Sequence, residues 1–488
     1  MLAVRPGSQS PPTVLRPGDS GYDQARRVWN GMIDRRPAMI ARCHRPRDVA
    51  SALRYAQAEG LPVTVRGGGH NVAGAAVADG AVMLDLRPMR RVTVDPAAGL
   101  AQVGGGAQLS DLDAGTTPLG LACPTGVVPE TGLGGLALGG GYGWLARKWG
   151  LTCDHIIAAQ VVLADGSIVN ASERENPGLL WGLRGGGGNF GVVTRFTLAL
   201  RPVGQVWLRH WLFPLSEAGA VLAAYRAAAP AQPDDLQIVA AFKLAPTVQG
   251  IPGAQRGRPV LALTAVWLGD EPTGARKICD AAFGEIGSPF VQTVRLPFAA
   301  LQARGAGTEP AGRRYYTSSC YLRDLCDPVI TRLAATAAAC PSRASVIDLG
   351  YLLGAIGRVP EADTAFPRRA APFICSASAA WDDPACDEEN AAWARNLTRN
   401  LREWQFGGSY VNYSAVRVGS ARSVYGPAHY GRLAALKSVV DPGNLFRAGH
   451  NIVPAAGPAQ AAVPGSAPAG RVAADRLSLQ SRDPEARD

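Results

Sequence analysis

The chain has 488 residues, of which 47% are hydrophobic and 18% charged, and it carries a formal net charge of +10. This length predicts two globular domains with separate cores, and no apolar run is long enough to span a membrane. The Lys and Arg residues are spread along the chain rather than gathered in one stripe, which argues against a nucleic-acid-binding protein.

The cysteines and the first residues of the chain predict a cytoplasmic protein. Nine cysteines are scattered without CxxC pairs, so neither a disulfide framework nor a metal site is expected. No HExxH motif supplies metal ligands either. The first 21 residues lack the apolar stretch and the small-residue cleavage site of a secretory signal.

The elements up to residue 95 follow a βαβ pattern. Residues 1–20 are rich in Pro, Gly and Ser and are expected to be poorly ordered. A short strand is predicted at Met39-Ile40, and the segment RPRDVASALRYAQAEG has helical spacing that stops at Gly60. The β-branched segment LPVTVRGGG predicts a strand that runs into glycines, and AVMLDL predicts another buried strand.

The pattern of predicted strands and helices changes at about residue 205. Before it, IIAAQVVLADGSIVNAS predicts a hairpin around Asp165-Gly166, and a short helix, a glycine loop and a strand follow. After it, strands such as LQIVAAFKL alternate with helices such as SEAGAVLAAYRAAAP, which predicts an antiparallel sheet with helices on one side. A late helix, YGRLAALKSVV, should end at Asp441-Pro442, and residues 455–488 have the composition of a disordered tail.

Three glycine-rich loops each follow a predicted element, at residues 66–71, 132–143 and 185–191. Glycine lets the backbone approach a ligand closely, and successive exposed N–H groups bind phosphate. None is a Walker loop, because GxxxxGK[ST] is absent, and none has the setting of a Rossmann fingerprint. Tight turns in a crowded β-rich fold are the alternative for each loop, but three loops in one region favour a ligand site.

His70 follows three glycines at the end of VTVRGGGHN, where a side chain can be presented to a ligand. A neutral imidazole nitrogen is a competent nucleophile toward the electrophilic 8α-carbon of a flavin. A structural or merely exposed histidine is the alternative, and the spacing alone leaves the two interpretations open.

Four motifs in order make the chain recognisable: RGGGHN, GLGGLALGGGYGWLARKWGLTCDHI, LLWGLRGGGGNFGVVTRF and the late YVNY…DPGNLFRAGHNIVP. Together they resemble the berberine-bridge-enzyme-like FAD-linked oxidases, which share the vanillyl-alcohol-oxidase, or PCMH-type, FAD fold. The similarity runs from about residue 22 to residue 454.

The resemblance implies an α+β protein. A two-part PCMH-type FAD-binding domain is joined to an antiparallel-sheet substrate domain covered by helices. The implied limits are a partly disordered N-terminal segment at 1–35, the FAD domain at 36–204, the substrate domain at 205–405, a C-terminal segment at 406–454 that returns to the FAD domain, and a disordered tail at 455–488.

The resemblance also implies FAD as the cofactor, bonded to the protein. The histidine of the family's R-G-G-G-H motif is its 8α-flavin attachment point and corresponds to His70. Many members add a cysteine bond within C-P-x-x-G-x-G-G, but the matching stretch here is VPETGLGG, with Val128 at the cysteine position and Cys123 five residues too early. A single covalent bond through His70 is therefore expected, which would raise the reduction potential of the flavin and prevent its loss.

Further contacts to FAD are expected from the glycine loops and the C-terminal motif. Thr131 corresponds to a position near flavin N5, and a threonine bonded to the backbone is its alternative. The expected cofactor-binding residues are Arg66, Gly67, Gly68, Gly69, His70, Asn71, Gly126, Thr131, Gly132, Gly135, Gly139, Gly140, Tyr142, Val193, Asn412 and Asn451.

Two residues are candidate catalytic bases. Tyr413, the last tyrosine of the Y-x-N-Y motif, corresponds to a catalytic tyrosine of the family, with aromatic packing as the alternative. Asp348 lies in the apolar run SVIDLGYLL, where a buried carboxylate must be paired or have a shifted pKa, and family members place an acid on this strand. Two lone histidines, His155 and His210, are interpreted as structural.

These observations predict an FAD-dependent oxidase that takes a hydride from a small organic molecule, such as a secondary-metabolite intermediate, an alkaloid-like amine or a sugar-like alcohol. The expected partners are this substrate and O2, without nucleic acid or membrane, in a monomer or homodimer. Two alternatives stay open: an oxygenating or oxidatively cyclising enzyme with the same flavin, and a flavin-bearing protein that binds or sequesters a toxic compound.

Overall fold

The computed structural model describes residues 13–415 and 421–456. Almost all of the predicted disordered tail therefore lies outside the described residues, as do the first 12 residues. Within the segment expected to be poorly ordered at 1–20, Thr13–Leu15 forms a strand, so that prediction is wrong for this stretch. The strand forms because it pairs antiparallel with residues 40–42.

The first layer of the fold is a four-stranded sheet with one crossover helix. Its elements are β1 (Thr13–Leu15), α1 (Tyr22–Arg26), β2 (Met39–Arg42), α2 (Pro46–Ala58), β3 (Val63–Arg66) and β4 (Val82–Asp85). The strand order is β1-β2-β4-β3, and the last three are parallel, which confirms the predicted βαβ unit. The helix α2 begins where the carboxylate of Asp48 accepts hydrogen bonds from the N–H groups of His44 and Arg45.

A second sheet of five antiparallel strands follows. The elements are β5 (Val92–Asp95), β6 (Leu100–Gly104), α3 (Leu109–Thr116), β7 (Leu121–Ala122), α4 (Leu133–Leu138), α5 (Ala146–Trp149), β8 (Ile156–Val162), β9 (Ile168–Ser172), α6 (Pro177–Leu183), β10 (Val192–Ala199) and β11 (Arg201–Pro202). The strand order is β5-β6-β10-β8-β9, and β7 pairs with β11. The predicted hairpin is β8–β9, where Asp165 accepts the N–H of Ser167 at 2.8 Å and Gly166 has a φ of 82°.

The third sheet has seven strands and begins at Gln205. Its elements are β12 (Gln205–Pro214), α7 (Ala218–Ala228), β13 (Leu236–Leu244), β14 (Pro259–Trp267), α8 (Thr273–Phe283), β15 (Phe290–Pro297), α9 (Phe298–Ala303), β16 (Arg314–Leu322), α10 (Asp327–Ala338), β17 (Val346–Tyr351), α11 (Ala355–Arg358), β18 (Phe373–Trp381) and α12 (Asp387–Asn400). All neighbouring strands are antiparallel, in the order β15-β12-β14-β13-β17-β18-β16. The predicted antiparallel sheet with covering helices is confirmed.

One face of the seven-stranded sheet is apolar. Side chains alternate along a strand, and residues directly opposite on neighbouring strands share a face. Trp211, Ile238 and Leu263 belong to a buried cluster on this face that also contains residues of α7, α8, α10 and α12. The helices therefore cover this side, and burial of its large apolar side chains is the main stabilisation of the sheet.

The opposite face of the sheet is polar. His210 of β12 lies opposite Thr264 of β14. On β17, Asp348 and Gly350 are two residues apart and therefore lie on the same face of the sheet. An added Cβ on Gly350 would come 2.7 Å from the hydroxyl of Tyr142. The polar face is therefore turned toward the part of the chain that forms the first two sheets, which we call the glycine-rich domain.

Arg147 of α5 fastens the glycine-rich domain to the seven-stranded sheet. Its buried guanidinium donates hydrogen bonds to the carbonyl oxygens of Leu353 at 2.7 Å, Pro233 at 3.1 Å and Gln232 at 3.1 Å. A buried arginine is tolerated only when its N–H groups have acceptors. These carbonyl groups therefore fix how the segments before β13 and α11 sit against α5.

After α12 the chain runs along β16, where the N–H groups of Phe406 and Ala415 donate to the carbonyl oxygens of Tyr321 and Thr317, each at 2.8 Å. A 3-10 turn at Val411–Tyr413 precedes α13 (Ala421–Val440), which bends at Gly426, where φ is 76°. The helix ends at Val440, as the Asp441-Pro442 pair predicts. The side chains of Lys437 and Asp441 are both fully buried.

Lys437 and Asp441 hold the last segment on the third glycine loop. The ammonium of Lys437 donates to the carbonyl oxygens of Asn189 and Phe446, each at 2.7 Å, and pairs with Asp441 at 2.6 Å. The carboxylate of Asp441 also accepts the N–H groups of Leu445 and Phe446 at 2.8 and 2.9 Å. Every charge in this pair is thus compensated by a partner.

Removing the Asp441 carboxylate should destabilise the protein strongly. Asp441→Asn leaves a buried ammonium without its counter-charge, and we expect the free energy of unfolding, measured by urea titration, to fall by about 3–5 kcal/mol. The matched control is Glu388→Gln, which breaks the exposed Arg395–Glu388 pair and should cost less than about 1 kcal/mol. Equal small effects of both variants would contradict the role assigned to the buried pair.

Candidate active site

The loop after β3 leaves its main-chain donors free. None of the N–H groups of residues 67–71 donates a hydrogen bond to another described residue. Within the loop Gly69 has a φ of 78°, a conformation that favours glycine. A run of free N–H groups binds phosphate oxygens, so the donors of Gly67, Gly68 and Gly69 suit the pyrophosphate of a dinucleotide.

Gly68 lies directly against Gly132, which precedes α4. An added Cβ on Gly68 would be 2.4 Å from the main-chain nitrogen of Gly132, and one on Gly132 would be 2.1 Å from that of Gly68. Glycine is required at both positions because no side chain fits between the two backbones. The contact also brings Thr131 next to the histidine loop.

Arg66 and Asn71, at the two ends of this loop, are bonded within the protein. The buried guanidinium of Arg66 donates to Asp85 at 2.7 and 3.2 Å and to the carbonyl of Arg27 at 3.0 Å. The carboxamide oxygen of Asn71 accepts the N–H of Ala75 at 3.1 Å. Both side chains thereby maintain the shape of the loop.

His70 lies flat against Trp29. The ring centroids are 4.1 Å apart and the planes differ by 17°. Burial lowers the pKa of His70 to about 4, so the imidazole is neutral near pH 7. Its Nε2 is buried without a hydrogen-bond partner and lies 3.9 Å from a carboxylate oxygen of Glu309. Neutral imidazole is the nucleophilic form, so the state of His70 suits covalent attachment.

The second glycine segment packs against the C-terminal motif. An added Cβ on Gly139 would be 2.1 Å from the carboxamide oxygen of Asn412. The N–H of Gly141 donates to the hydroxyl of Tyr410 at 2.7 Å, and the Asn412 carboxamide donates to the carbonyl of Leu136 at 3.0 Å. Many of these glycines therefore allow close packing between two segments of the same chain, residues 136–141 and residues 410–412, and the side chain of Asn412 is hydrogen-bonded across this contact.

Three other glycines of the expected set differ in their surroundings. An added Cβ on Gly126 would be 2.7 Å from the side chain of Leu136, and one on Gly140, where φ is 128°, would be 2.8 Å from Phe366. An added Cβ on Gly135 has nothing within 4 Å. Gly126 and Gly140 thus serve packing, and Gly135 is the one of the three with open space for a ligand.

The third glycine loop is bonded to the end of the described chain. The carboxamide of Asn189 accepts the N–H of Ile452 at 3.1 Å and donates to the carbonyl of His450 at 3.1 Å. The carboxamide oxygen of the neighbouring Asn451 is buried without a partner. Val193 is 4% exposed on β10. Asn451 therefore offers a free acceptor, and Val193 offers only its main chain.

Asp348, Tyr142 and Tyr413 form one electrostatic cluster. Burial raises the pKa of Asp348 to about 6 and that of Tyr142 to about 12. Burial, together with the charges of Tyr410 and Asp348, raises the pKa of Tyr413 well above its usual value. The structure therefore brings the two predicted bases within electrostatic reach of each other.

Glu309, Trp29 and Lys243 were not among the site residues predicted from the sequence. The first two lie beside His70 but belong to loops without a motif. Lys243 shares the polar face with Asp348, because Ala241, two residues before it, lies opposite Asp348. Its amine lowers the pKa of Asp348. The alternation of LQIVAAFKL, which places Lys243 on one face of β13, was the signal that could have found it.

The two histidines interpreted as structural differ in position. His155 is buried, with its ring nitrogens 3.0 and 3.1 Å from the carbonyl oxygens of Trp149 and Ala199, and is a core residue. His210 lies on the polar face of the sheet, with Nδ1 2.8 Å from the hydroxyl of Thr264. His210 therefore joins the candidate site residues.

The residues present fit a flavin dinucleotide. Free N–H groups at 67–71 suit its pyrophosphate, and the neutral imidazole of His70 suits its 8α-carbon. The described part of the chain contains no cluster of three or more His, Cys, Asp or Glu that could hold a metal ion. It also contains no helix long and apolar enough to cross a membrane.

Two family models match the chain. The model described as "FAD binding domain" matches residues 37–172, and the model described as "Berberine and berberine like" matches residues 409–453. The first range includes the histidine loop and Gly132, and the second includes Tyr413 and Asn451.

Two nicotine oxidases are similar to this chain. The (R)-6-hydroxynicotine oxidase of Paenarthrobacter nicotinovorans is 42% identical over 212 residues, which are 43% of this chain and 46% of that enzyme. The crystal structure of 6-hydroxy-D-nicotine oxidase from Arthrobacter nicotinovorans superposes with a TM-score of 0.79 at 30% identity and covers 93% of this chain and 99% of that one.

A more distant structure shares the fold. The glucooligosaccharide oxidase from Acremonium strictum is 23% identical, with a TM-score of 0.80 over 91% of this chain and 97% of its own. That enzyme carries a 6-S-cysteinyl, 8α-N1-histidyl FAD.

Gly132→Ala should impair cofactor binding. The new Cβ would lie 2.1 Å from the backbone of Gly68, and neither backbone can move without displacing the histidine loop. We expect the affinity for FAD before covalent attachment to fall at least about tenfold, or about 1.4 kcal/mol, and the flavin content, measured as flavin absorbance against protein concentration, to fall with it. The control is Gly178→Ala in α6, where an added Cβ has nothing within 4 Å. If both variants keep the same flavin content, the contact is not essential.

Proposed function

The chain belongs to the berberine-bridge-like FAD-linked oxidoreductases, and we propose that it is an oxidase whose FAD is bonded covalently to His70. The observation that supports this best is the neutral, buried imidazole of His70 at the end of a loop with free main-chain donors. When bound, FAD would take a hydride from a C–H bond of the substrate and pass its two electrons to O2.

The surroundings of the nearest cysteine support one covalent bond rather than two. Val128, at the position where many family members have cysteine, carries no group that could bond to the flavin. Cys123 is fully buried in the core, with its thiol directed at the carbonyl of Pro124 at 3.7 Å, and burial raises the pKa of this thiol. A second bond through Cys123 would require the core to open. All nine cysteines are unpaired, which suits a reducing compartment such as the cytoplasm.

We assign proton removal from the substrate to Asp348. Its pKa of about 6 makes it a carboxylate at neutral pH, ready to accept a proton. The raised pKa of Tyr413 keeps the phenol protonated, so its hydroxyl is a hydrogen-bond donor that orients the substrate. Asp348 lies on the polar face of β17, and Tyr413 lies in the 3-10 turn Val411–Tyr413.

The polar face of the seven-stranded sheet supports a substrate with hydroxyl or amine groups. His210, Lys243 and Gln237 lie on this face and supply donors and acceptors. Small ligands are oriented by a few placed polar groups of this kind. The proposed substrate is therefore a small polar molecule, such as a sugar-like alcohol or an alkaloid-like amine of secondary metabolism.

The covalent bond is tested by acid precipitation. The precipitated protein should stay yellow, and His70→Ala should release its flavin into the supernatant, because the only bond to the cofactor is removed. The control is Cys123→Ala, which should keep the flavin in the precipitate. Retention of flavin by His70→Ala together with release by Cys123→Ala would contradict the assignment.

The pH dependence of turnover tests the base. Because the active form of Asp348 is the carboxylate, kcat should rise as pH increases through about 6. Asp348→Asn should lower kcat by about 100-fold or more and abolish this rise. Stopped-flow measurement of flavin reduction across pH separates this step from reoxidation.

Two further variants sharpen the same assignment. Lys243→Met removes the cation that lowers the pKa of Asp348, so the rise should move to higher pH. Tyr413→Phe should lower the rate but keep the rise at its position. Persistence of the rise in Asp348→Asn, or its loss in Tyr413→Phe, would make the tyrosine the base instead.

A further inference from the structure

Trp29 holds three parts of the histidine site in fixed relation. Its ring stacks on His70, and its main-chain N–H donates to the carbonyl of Gly69 at 3.1 Å. Its indole N–H donates to the main-chain carbonyl of Glu309 at 2.8 Å. The indole also stacks on Tyr315, with ring centroids 3.8 Å apart. One residue therefore fixes the loop, the plane of the imidazole and the backbone of Glu309.

The carboxylate of Glu309 faces one particular nitrogen of His70. Its Oε2 lies 3.9 Å from Nε2, and Nε2 is buried without any hydrogen-bond partner. Because Nε2 is directed at Glu309, Nδ1 is the nitrogen left for another partner. Glu309 and His70 belong to segments far apart in sequence, so the fold alone brings them together.

We propose that Glu309 is a positioning residue for covalent flavin attachment: its carboxylate holds and then accepts the Nε2 proton of His70, which leaves Nδ1 as the nucleophile toward the 8α-carbon of FAD. This role rests on the proposed bond between FAD and His70. A carboxylate beside an imidazole selects one tautomer and takes up the proton that must leave when the other nitrogen is alkylated.

The bonds that change define what Glu309 contributes. A C–N bond forms between Nδ1 of His70 and the 8α-carbon, while one C–H bond of the 8α-methyl group and the N–H bond at Nε2 break. The electron pair of the C–H bond stays on the flavin as a two-electron reduction. O2 then takes these two electrons and the two protons to give H2O2. The proton from Nε2 leaves through the carboxylate of Glu309.

The charges around Glu309 set the pH range of this step. Partial burial, with the negative charges of Asp348 and Glu130, raises the pKa of Glu309 to about 7. The other titratable groups facing it are neutral in this range: His70, Tyr315 and Tyr413. Because only the ionised carboxylate accepts a proton, covalent incorporation of FAD should accelerate as pH rises through about 7.

A time course of incorporation into the full-length chain tests the role. The chain is produced under flavin limitation and supplied with FAD, and the covalent fraction is the flavin that stays with acid-precipitated protein. Glu309→Gln should react at least about tenfold more slowly above pH 7 and lose the rise with pH, while binding FAD non-covalently with unchanged affinity. Glu309→Asp keeps a carboxylate and should restore most of the rate together with a rise with pH.

The matched control is Glu285→Gln, which replaces an exposed glutamate and should react like the unsubstituted chain. Equal rates and pH profiles for Glu309→Gln and this control would overturn the role of Glu309 alone. A Glu309→Asp variant as slow as Glu309→Gln would also overturn it. Absence of covalent flavin in the unsubstituted chain would overturn the bond to His70 itself, so the two failures are distinguishable.

Discussion

The backbone contact between Gly68 and Gly132 is the constraint on which the candidate site depends. No Cβ fits on either side of it, so the loop after β3 and the segment before α4 are held together at main-chain distance. This closeness brings the histidine loop against the main chain of Thr131, and the bonds of Asn412 and Tyr410 to the same glycine-rich segment bring Tyr413 to it. Three parts of the sequence thus meet at one place because glycine leaves room for backbone.

The polar face of the seven-stranded sheet forms the other side of the candidate site, opposite the histidine loop. The sheet's alternation gives one face to the helices and the other to polar groups, and a half-buried carboxylate such as Asp348 is tolerated there at the cost of a raised pKa. The same desolvation that penalises the charge makes Asp348 a better proton acceptor near neutral pH. Stability and reactivity therefore oppose each other at this residue, as is common in active sites.

Local patterns predicted much of this architecture. The βαβ unit, the hairpin at Asp165-Gly166 and the helix before Asp441 followed from periodicity and turn residues, and His70 followed from the loop that presents it. Glycine was harder to interpret, because the sequence does not distinguish a backbone that approaches a ligand from one that approaches Asn412. Trp29 and Glu309 could not be predicted, since 280 positions separate them and only the tertiary fold brings them to His70.

We propose that FAD lies between the loop at 67–71 and the polar face of the sheet, bonded to His70. A crystal structure of the flavin-loaded protein tests this placement. We predict continuous electron density from Nδ1 of His70 to the 8α-carbon, the pyrophosphate within hydrogen-bond distance of the free N–H groups of 67–71, and the reactive edge of the flavin turned toward Asp348. A flavin bound elsewhere, or one in this place without a bond to His70, would contradict the claim.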